Sequence, residues 1–206
     1  MHNILDGAGV QNELATIRSV ETSISEFRSA IHRLGLHLAV HASAHLPSAT
    51  GTVTTPLAQT TAARVDGPIV LVPVLRAGLG LLDAFLSVMP YARVGFEGLR
   101  RDEVTLQPEE YYSRLPEPTT STTYLVLDPM LATGGSLCAT ICRLKEHQHH
   151  KIITACVIAS PEGLKRVATE HPDVHVVAGA VDTHLNDVGY IVPGLGDAGD
   201  RLYGTI

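Results

Sequence analysis

The sequence predicts an α/β fold in which a central parallel sheet carries helices on both faces. Three observations predict it. Apolar runs of strand length recur at residues 69–74, 124–127, 152–159 and 174–181, and helical patterns lie between them, the alternation of a parallel sheet with crossover connections. The runs are nearly continuous in apolar residues, as in strands covered on both sides. The run at 124–127 also ends on an acid, Asp128, followed by Thr133, Gly134, Gly135 and Ser136 and then by Leu137, Ile141 and Leu144 at helical spacing.

The chain of 206 residues fits one domain, read as an N-terminal helical and edge-strand segment 1–67, a core 68–181 and a C-terminal segment 182–206. Apolar residues make up 45%, enough for a sizeable core. Lys+Arg 15 against Asp+Glu 21 gives a net charge of −6, which disfavours nucleic acid as a partner but not a small anionic substrate. Cys138, Cys142 and Cys156 sit in apolar helix and strand contexts and read as small buried residues, not as a disulfide or zinc pair. The first ten residues lack a signal-peptide pattern, and no run approaches the roughly 18 apolar residues of a membrane span. A cytoplasmic protein is expected.

Residues 1–22 are weakly patterned. Ser23 and Glu26 form a capping-box signature, and Ile24, Phe27, Ile31, Leu34 and Leu38 mark one helix face, with Arg28 and Arg33 off it. His37, His41 and His45 fall at i, i+4 and i+8, which is metal-like spacing, but no carboxylate or cysteine joins them. Residues 50–65, rich in Thr and Val and interrupted by Pro56, read as a two-stranded excursion at a sheet edge. After the strand at 69–74, Arg76, Gly78 and Gly80 stand in a loop, and a helix over 79–89 and a strand over 92–96 follow. Residues 98–118 are charged, weakly periodic and proline-ended, the character of a lid over a site. Residues 146–151 read as a polar helix end, and Ser160 and Pro161 open another helix with proline near its first position. Residues 182–204 hold Gly189, Gly194, Gly196, Gly199 and Gly204, which disfavours both helix and strand. A shaped, backbone-rich loop of this kind suits a small, flat, polar ligand.

The loop 133–136 at a helix start presents free backbone N–H groups and the positive end of the helix dipole, a site for phosphate. It lacks the lysine of the nucleoside-triphosphate loop and the glycine spacing of the dinucleotide fingerprint. Asp128, at the carboxyl end of its strand, is placed to accept hydrogen bonds from two vicinal hydroxyls while the loop holds a phosphate, a combination that describes ribose 5-phosphate. The alternative is an ordinary strand-to-helix turn with a capping Ser or Thr.

LVLDPMLATGGS, residues 125–136, resembles the phosphoribosyl-pyrophosphate loop of the phosphoribosyltransferases. Most of that superfamily carries two adjacent acids there; Pro129 in the second place is typical of the uracil phosphoribosyltransferases. PVLRAGLG, residues 73–80, is similar to the family's pyrophosphate loop, residues 98–118 to its lid, and GYIVPGLGDAGDR, residues 189–201, to its uracil-binding hood. The resemblance implies transfer of a phosphoribosyl group from phosphoribosyl pyrophosphate to uracil, with Mg²⁺ bound to the pyrophosphate, a possible GTP activator, and a homodimer or higher homo-oligomer. It implies that Arg76, Arg101, Asp128, Pro129, Met130, Leu131, Ala132, Thr133, Gly134, Gly135, Ser136 and Asp197 bind phosphoribosyl pyrophosphate. It further implies that Ile191, Gly196, Asp197 and Ala198 bind uracil, and that Asp128, Arg101 and Asp197 are catalytic. The chain departs from the family at 41–46, where His41-Ala42-Ser43-Ala44-His45-Leu46 replaces an acid, an arginine and an aspartate. Arg100 stands where relatives often have an aromatic residue. The competing function is that of RNA-binding pyrimidine regulators of the same fold, against which the net charge and Pro129 both argue.

Overall fold

In the computed structural model, which describes residues 1–101, 108–146 and 151–205, the four apolar runs lie side by side. The chain begins with β1 (His2–Ile4), α1 (Ala8–Arg18) and α2 (Ile24–Ser43), then β2 (Ser48–Thr54) and β3 (Gln59–Val65). The core follows as β4 (Ile69–Leu75), α3 (Leu79–Val88), β5 (Arg93–Val94), β6 (Phe96–Arg101) and β7 (Pro108–Arg114). Next come β8 (Thr123–Leu127), β9 (Met130–Leu131), α4 (Gly135–Glu146), β10 (Lys151–Ala159), α5 (Pro161–Glu170) and β11 (His175–Val181). The chain closes with β12 (His184–Leu185), β13 (Ile191–Val192) and α6 (Ala198–Tyr203).

The main sheet runs β1-β11-β10-β8-β4-β6-β7, with β5 on β4 and β9 on β10. Its pairs are parallel except β6 with β7. From β4 the chain moves to one side of the sheet, and from β8 it moves to the other. The boundary between β4 and β8 is therefore a topological switch point, where open α/β sheets bind ligands outside the strand carboxyl ends.

Strand alternation divides the core in two. Leu71, Leu125, Leu127, Ile153 and Val177 face α1, α2, α3 and α6, while Val70, Val72, Val126, Cys156 and Val176 face α4 and α5. The predicted parallel sheet with helices on both faces is present.

Local signals act as expected at the helix starts. Ser23 caps α2 through the Glu26 N–H while Glu26 accepts from the Ser23 N–H. Ser160 caps α5 through the Gly163 N–H at 2.8 Å, with Pro161 at its first position. Of the stripe on α2, Phe27, Ile31, Leu34 and Leu38 are buried, but Ile24 is 46% exposed, since the first turn overhangs the core.

Several expectations change. The weakly patterned start forms β1, parallel to β11, and α1, whose Val10, Leu14 and Ile17 are buried. Residues 50–65 do form a hairpin, but β2 and β3 make a separate two-stranded sheet, exposed on both faces, rather than an edge of the main one. The flanks of the expected lid are the antiparallel strands β6 and β7; residues 102–107, at its centre, lie outside the described residues. Residues 147–150 of the polar tract also lie outside them. Cys142 is exposed, unlike Cys138 and Cys156, because it falls off the apolar stripe of α4. The glycine-rich end contains the ribbon β12–β13 and the helix α6, which Asp197 caps and Gly204 ends in a left-handed conformation at φ 68°. Among the described residues no helix is long and apolar enough to cross a membrane.

Candidate active site

The strand β8 delivers Asp128 to the switch point, and the segment after it is tied to β10 at every step. The Asp128 N–H donates to the Ala155 carbonyl at 3.1 Å, and the Pro129 carbonyl accepts from both Val157 and Ile158, at 2.9 and 3.1 Å. Proline lacks an N–H, but its carbonyl supplies this fork. β9 then pairs with β10 through Met130 and Leu131. Asp128, Met130, Leu131, Ala132, Thr133, Gly134, Gly135 and Ser136 line one open cleft.

The glycine loop is shaped by its backbone. Gly134 has φ 75°, a left-handed conformation costly for other residues, and a Cβ there would approach Arg166 Cδ at 3.3 Å. The Thr133 hydroxyl accepts from the Gly135 N–H at 3.4 Å, and the Cys138 N–H donates to the Gly134 carbonyl at 2.9 Å, which starts α4. The loop therefore meets the cleft at a helix N-terminus.

From behind, α5 braces the loop. The Ser160 hydroxyl donates to the Ala132 carbonyl at 2.6 Å, and the Ser160 N–H donates to the Leu131 carbonyl at 2.9 Å. A Cβ on Gly163 would lie 2.4 Å from the Ala132 oxygen, so only glycine permits this approach.

Burial pushes the Asp128 carboxyl up from 3.8 to about 6, against a weak lowering by the Met130 N–H, which donates to Oδ1 at 3.4 Å. The carboxylate has few donors of its own in the protein, so donors from a ligand would stabilise its ionised form.

Beside it, the loop after β4 begins with a cis Leu75–Arg76 peptide bond. A Cβ on Gly78 would lie 2.4 Å from the Leu127 oxygen, so this loop lies directly against the end of β8. Arg76 is exposed, and its Nη2 lies 3.5 Å from Asp200 Oδ1 of α6. The Tyr203 hydroxyl donates to the Arg76 carbonyl at 3.1 Å, and a Cβ on Gly80 would strike Leu202 at 2.7 Å. The C-terminal segment is thus packed onto the Arg76 loop.

Within that segment Ile191 and Ala198 are buried, the bond before Pro193 is cis, and Gly196 has φ 83°. The Asp197 carboxylate accepts from the Asp200 N–H at 2.9 Å. The segment is strapped from below by Arg18, which donates to both Asp182 oxygens at 2.8 and 2.6 Å and to the Gly194 carbonyl at 2.8 Å. The Gly194 N–H donates back to Asp182 at 2.7 Å. Burial works to raise the Asp182 carboxyl, but Arg18 and Gly194 outweigh it and hold it below its ordinary value. Arg201 ties α6 to the end of α1 through the carbonyls of Ile17 and Ser19 and donates to the Leu195 carbonyl within its own segment, with its guanidinium 4.3 Å from the Phe27 ring centroid.

The sequence profile of the uracil phosphoribosyltransferases matches residues 4–205, nearly the whole of this chain. The chain belongs to the uracil phosphoribosyltransferase family. A uracil phosphoribosyltransferase from Exiguobacterium sp. is 45% identical over 204 residues, 98% of each chain. The solved structure of the AQ2163 protein from Aquifex aeolicus is 40% identical, with a TM-score of 0.91 over 100% of this chain and 99% of its own. The adenine phosphoribosyltransferase of Leishmania donovani, 12% identical with a TM-score of 0.60 over 88% of this chain and 84% of its own, shares the fold.

Of the residues the sequence singled out in this family's terms, Asp128, Met130, Leu131, Ala132 and Thr133 to Ser136 line one cleft. Pro129 is buried just behind it. Arg76, Asp197 and Ala198 belong to the adjoining pair of segments, and a Cβ on Gly199 would lie 3.2 Å from Asp197 Oδ1 and 3.9 Å from Ala77. Arg101 ends β6, and the side chains of Arg100 and Arg101 lie outside the described part of the structure. His37 and His41 are exposed, while His45 lies beyond the end of α2 and stacks on His175 with ring centroids 3.7 Å apart. Ser160, Gly163, Arg18 and Asp182 support the site without having been singled out for it. Ser160-Pro161 was legible as a helix start, but nothing local in sequence ties Arg18 to Asp182, 164 residues away.

Proposed function

We propose that this protein transfers the phosphoribosyl group of phosphoribosyl pyrophosphate to N1 of uracil, giving UMP and pyrophosphate, as a step of pyrimidine salvage. The observation that carries this reading is the glycine loop at the N-terminus of α4, in one cleft with Asp128 at the switch point of the sheet. In this reading the backbone N–H groups of Thr133, Gly134, Gly135 and Ser136 anchor the 5′-phosphate. Asp128 accepts hydrogen bonds from the two ribose hydroxyls, which favours its ionised form and orients the ring. Pro129, Met130, Leu131 and Ala132 shape the wall between the two. Arg76 and Arg101 neutralise the departing pyrophosphate.

The donor set fits Mg²⁺ that is carried on the substrate's phosphates, because the cleft itself offers the Asp128 carboxylate and no cage of protein oxygens among the described residues. Bound with phosphoribosyl pyrophosphate, Mg²⁺ supplies charge neutralisation on the leaving group. Ile191, Gly196, Asp197 and Ala198 hold the base, and backbone donors and acceptors match the uracil edge. Cytosine reverses one donor–acceptor position and is rejected. The C1′ bond to pyrophosphate breaks as the bond to uracil N1 forms, and the N1 proton is released. Binding, orientation and electrostatics do most of this work, and closure of the 98–118 segment keeps water from the ribosyl cation-like transition state. GTP activation, a homodimeric or higher assembly and a cytoplasmic location belong to the same proposal.

The test is UMP formation from uracil and phosphoribosyl pyrophosphate with Mg²⁺, with and without GTP, with cytosine and hypoxanthine as controls. Turnover with uracil alone is expected. Tight binding of UMP or uracil without turnover in either arm would overturn the transferase reading in favour of a nucleotide sensor. Sedimentation of the same sample reads the assembly state.

A further inference from the structure

On the far side of the phosphate loop, α4 and α5 bring together side chains that the transfer reaction does not use. Cys138 and Cys142 are four apart on α4 and so share a face. Glu170 ends α5 and His171 follows it. One ligand atom each from Cys138, Glu170 and His171 lies within 4.8 Å of the others. Cys142 Sγ stands 3.8 Å from His171 Nε2. Tetrahedral zinc, with bonds of about 2.3 Å to sulfur and about 2.0 Å to nitrogen, places such a ligand pair about 3.6 Å apart. We infer that Cys138, Cys142, Glu170 and His171 form a binding site for a thiophilic divalent cation of the zinc class, bridging α4 and α5.

The chemistry of each group is suited to this. His171 is buried, and burial together with the nearby Lys145 charge lowers its pKa, so it is neutral at pH 7, the form that ligates a metal. Burial, with Glu170 beside it, pushes the Cys138 thiol up to about 12, so the free site holds a thiol there. Coordination deprotonates it and releases the proton to solvent. Two thiolates and one carboxylate around a divalent ion leave a single negative charge. Arg166, 2.8 Å from Glu170, stands ready to balance it. Cys142 is exposed, off the apolar stripe of α4, which leaves an outer ligand open to an entering ion.

The site sits one contact from the phosphate loop. Cys138 bonds the Gly134 carbonyl through its N–H, and Arg166 Cδ lies 3.3 Å from where a Cβ on Gly134 would be. An ion here clamps the first two turns of α4 to the end of α5. The inference does not rest on the transferase reading, because its readouts are binding and spectroscopy.

The experiment uses the full chain, reduced and freed of metal with a chelator, titrated with Zn²⁺ against a chromophoric competitor and separately with Co²⁺. One ion per chain is expected, with proton release and the absorption of tetrahedral, thiolate-ligated cobalt. Cys142→Ser, at an exposed position that leaves the fold alone, is expected to weaken binding at least tenfold, as is His171→Gln. Asp128→Asn is expected to leave it unchanged, which separates this site from an ion in the substrate cleft. Equal affinity in Cys142→Ser, cobalt absorption without thiolate character, or loss of binding in Asp128→Asn would each overturn the proposal.

Discussion

At Asp128 two requirements oppose each other. The proposed role, accepting from the ribose hydroxyls, calls for an ionised carboxylate, yet the position is desolvated enough to raise the carboxyl from 3.8 to about 6. The folded state therefore binds this proton more tightly than the unfolded chain. The stabilising effect of the proton is fully present below about pH 4 and is lost as pH rises through 6. Replacing Asp128 with Asn removes the charge. The variant is expected to unfold at higher temperature than the parent at pH 8, by up to about 3 kcal/mol of stability, and to lose that advantage at pH 4. Its turnover is expected to fall by about 10- to 100-fold, the loss of hydrogen bonds to a charged acceptor. Thermal melts at the two pH values and a rate assay check both. In the parent, KM for phosphoribosyl pyrophosphate is expected to rise below pH 6, where the carboxyl is protonated before substrate binds; a flat KM from pH 5 to 8 would contradict it. The placement of Asp128 was legible in sequence because a buried strand ended on an acid. The strength of its perturbation was not, since desolvation depends on what other elements cover it.

At the scale of elements, the glycine loop at 133–136 depends on α5 as much as on α4. Gly163 is the residue that lets the first turn of α5 lie on the Ala132 carbonyl. Gly163→Ala is expected to cost about 2 kcal/mol by overpacking and to raise KM for phosphoribosyl pyrophosphate more than KM for uracil. Steady-state kinetics with a melt reads both, and equal changes in the two KM values would argue against a local effect on the loop. Elements with strong local signals were legible: the buried strands, the capping box at Ser23 and the Ser160-Pro161 start. Those held by distant partners were not. β1 has three residues and is defined by its pairing to β11. The helix α6 spans six residues with Gly199 among them, and its stability comes from the Asp197 cap and from packing on α2 and α3 rather than from propensity. Cys142 and His171 likewise meet only because two helices, separate in sequence, pack together.

Over the whole molecule, the two ends of the chain are joined into one layer above the sheet. Arg18 of α1 holds Asp182 and Gly194, Arg28 of α2 donates to the Leu202 carbonyl at 2.6 Å, and Arg201 of α6 returns to the carbonyls of Ile17 and Ser19. The glycine-rich end was read as a loop without helix or strand, and neither its ribbon and helix nor its anchoring to residues 17–28 was legible, because no local pattern reports a contact across 164 to 184 residues. This arrangement means that the C-terminal segment is not an independent flap. Arg18→Gln leaves the buried Asp182 carboxylate without its charged partner, which is expected to cost about 3 kcal/mol and to lower the melting temperature of the entire domain in one transition. If the segment were instead a loosely attached lid, the same change would raise KM for uracil while leaving the global melt in place. The coupling of binding to stability separates the two: with the layer acting as a unit, uracil analogues should raise the melting temperature of the parent and recover part of the loss in Arg18→Gln. Since Asp182 is held below its ordinary carboxylate range, the deficit of the variant should be full at pH 7 and shrink as the pH falls toward that of Asp182 protonation, when the parent loses the same ion pair.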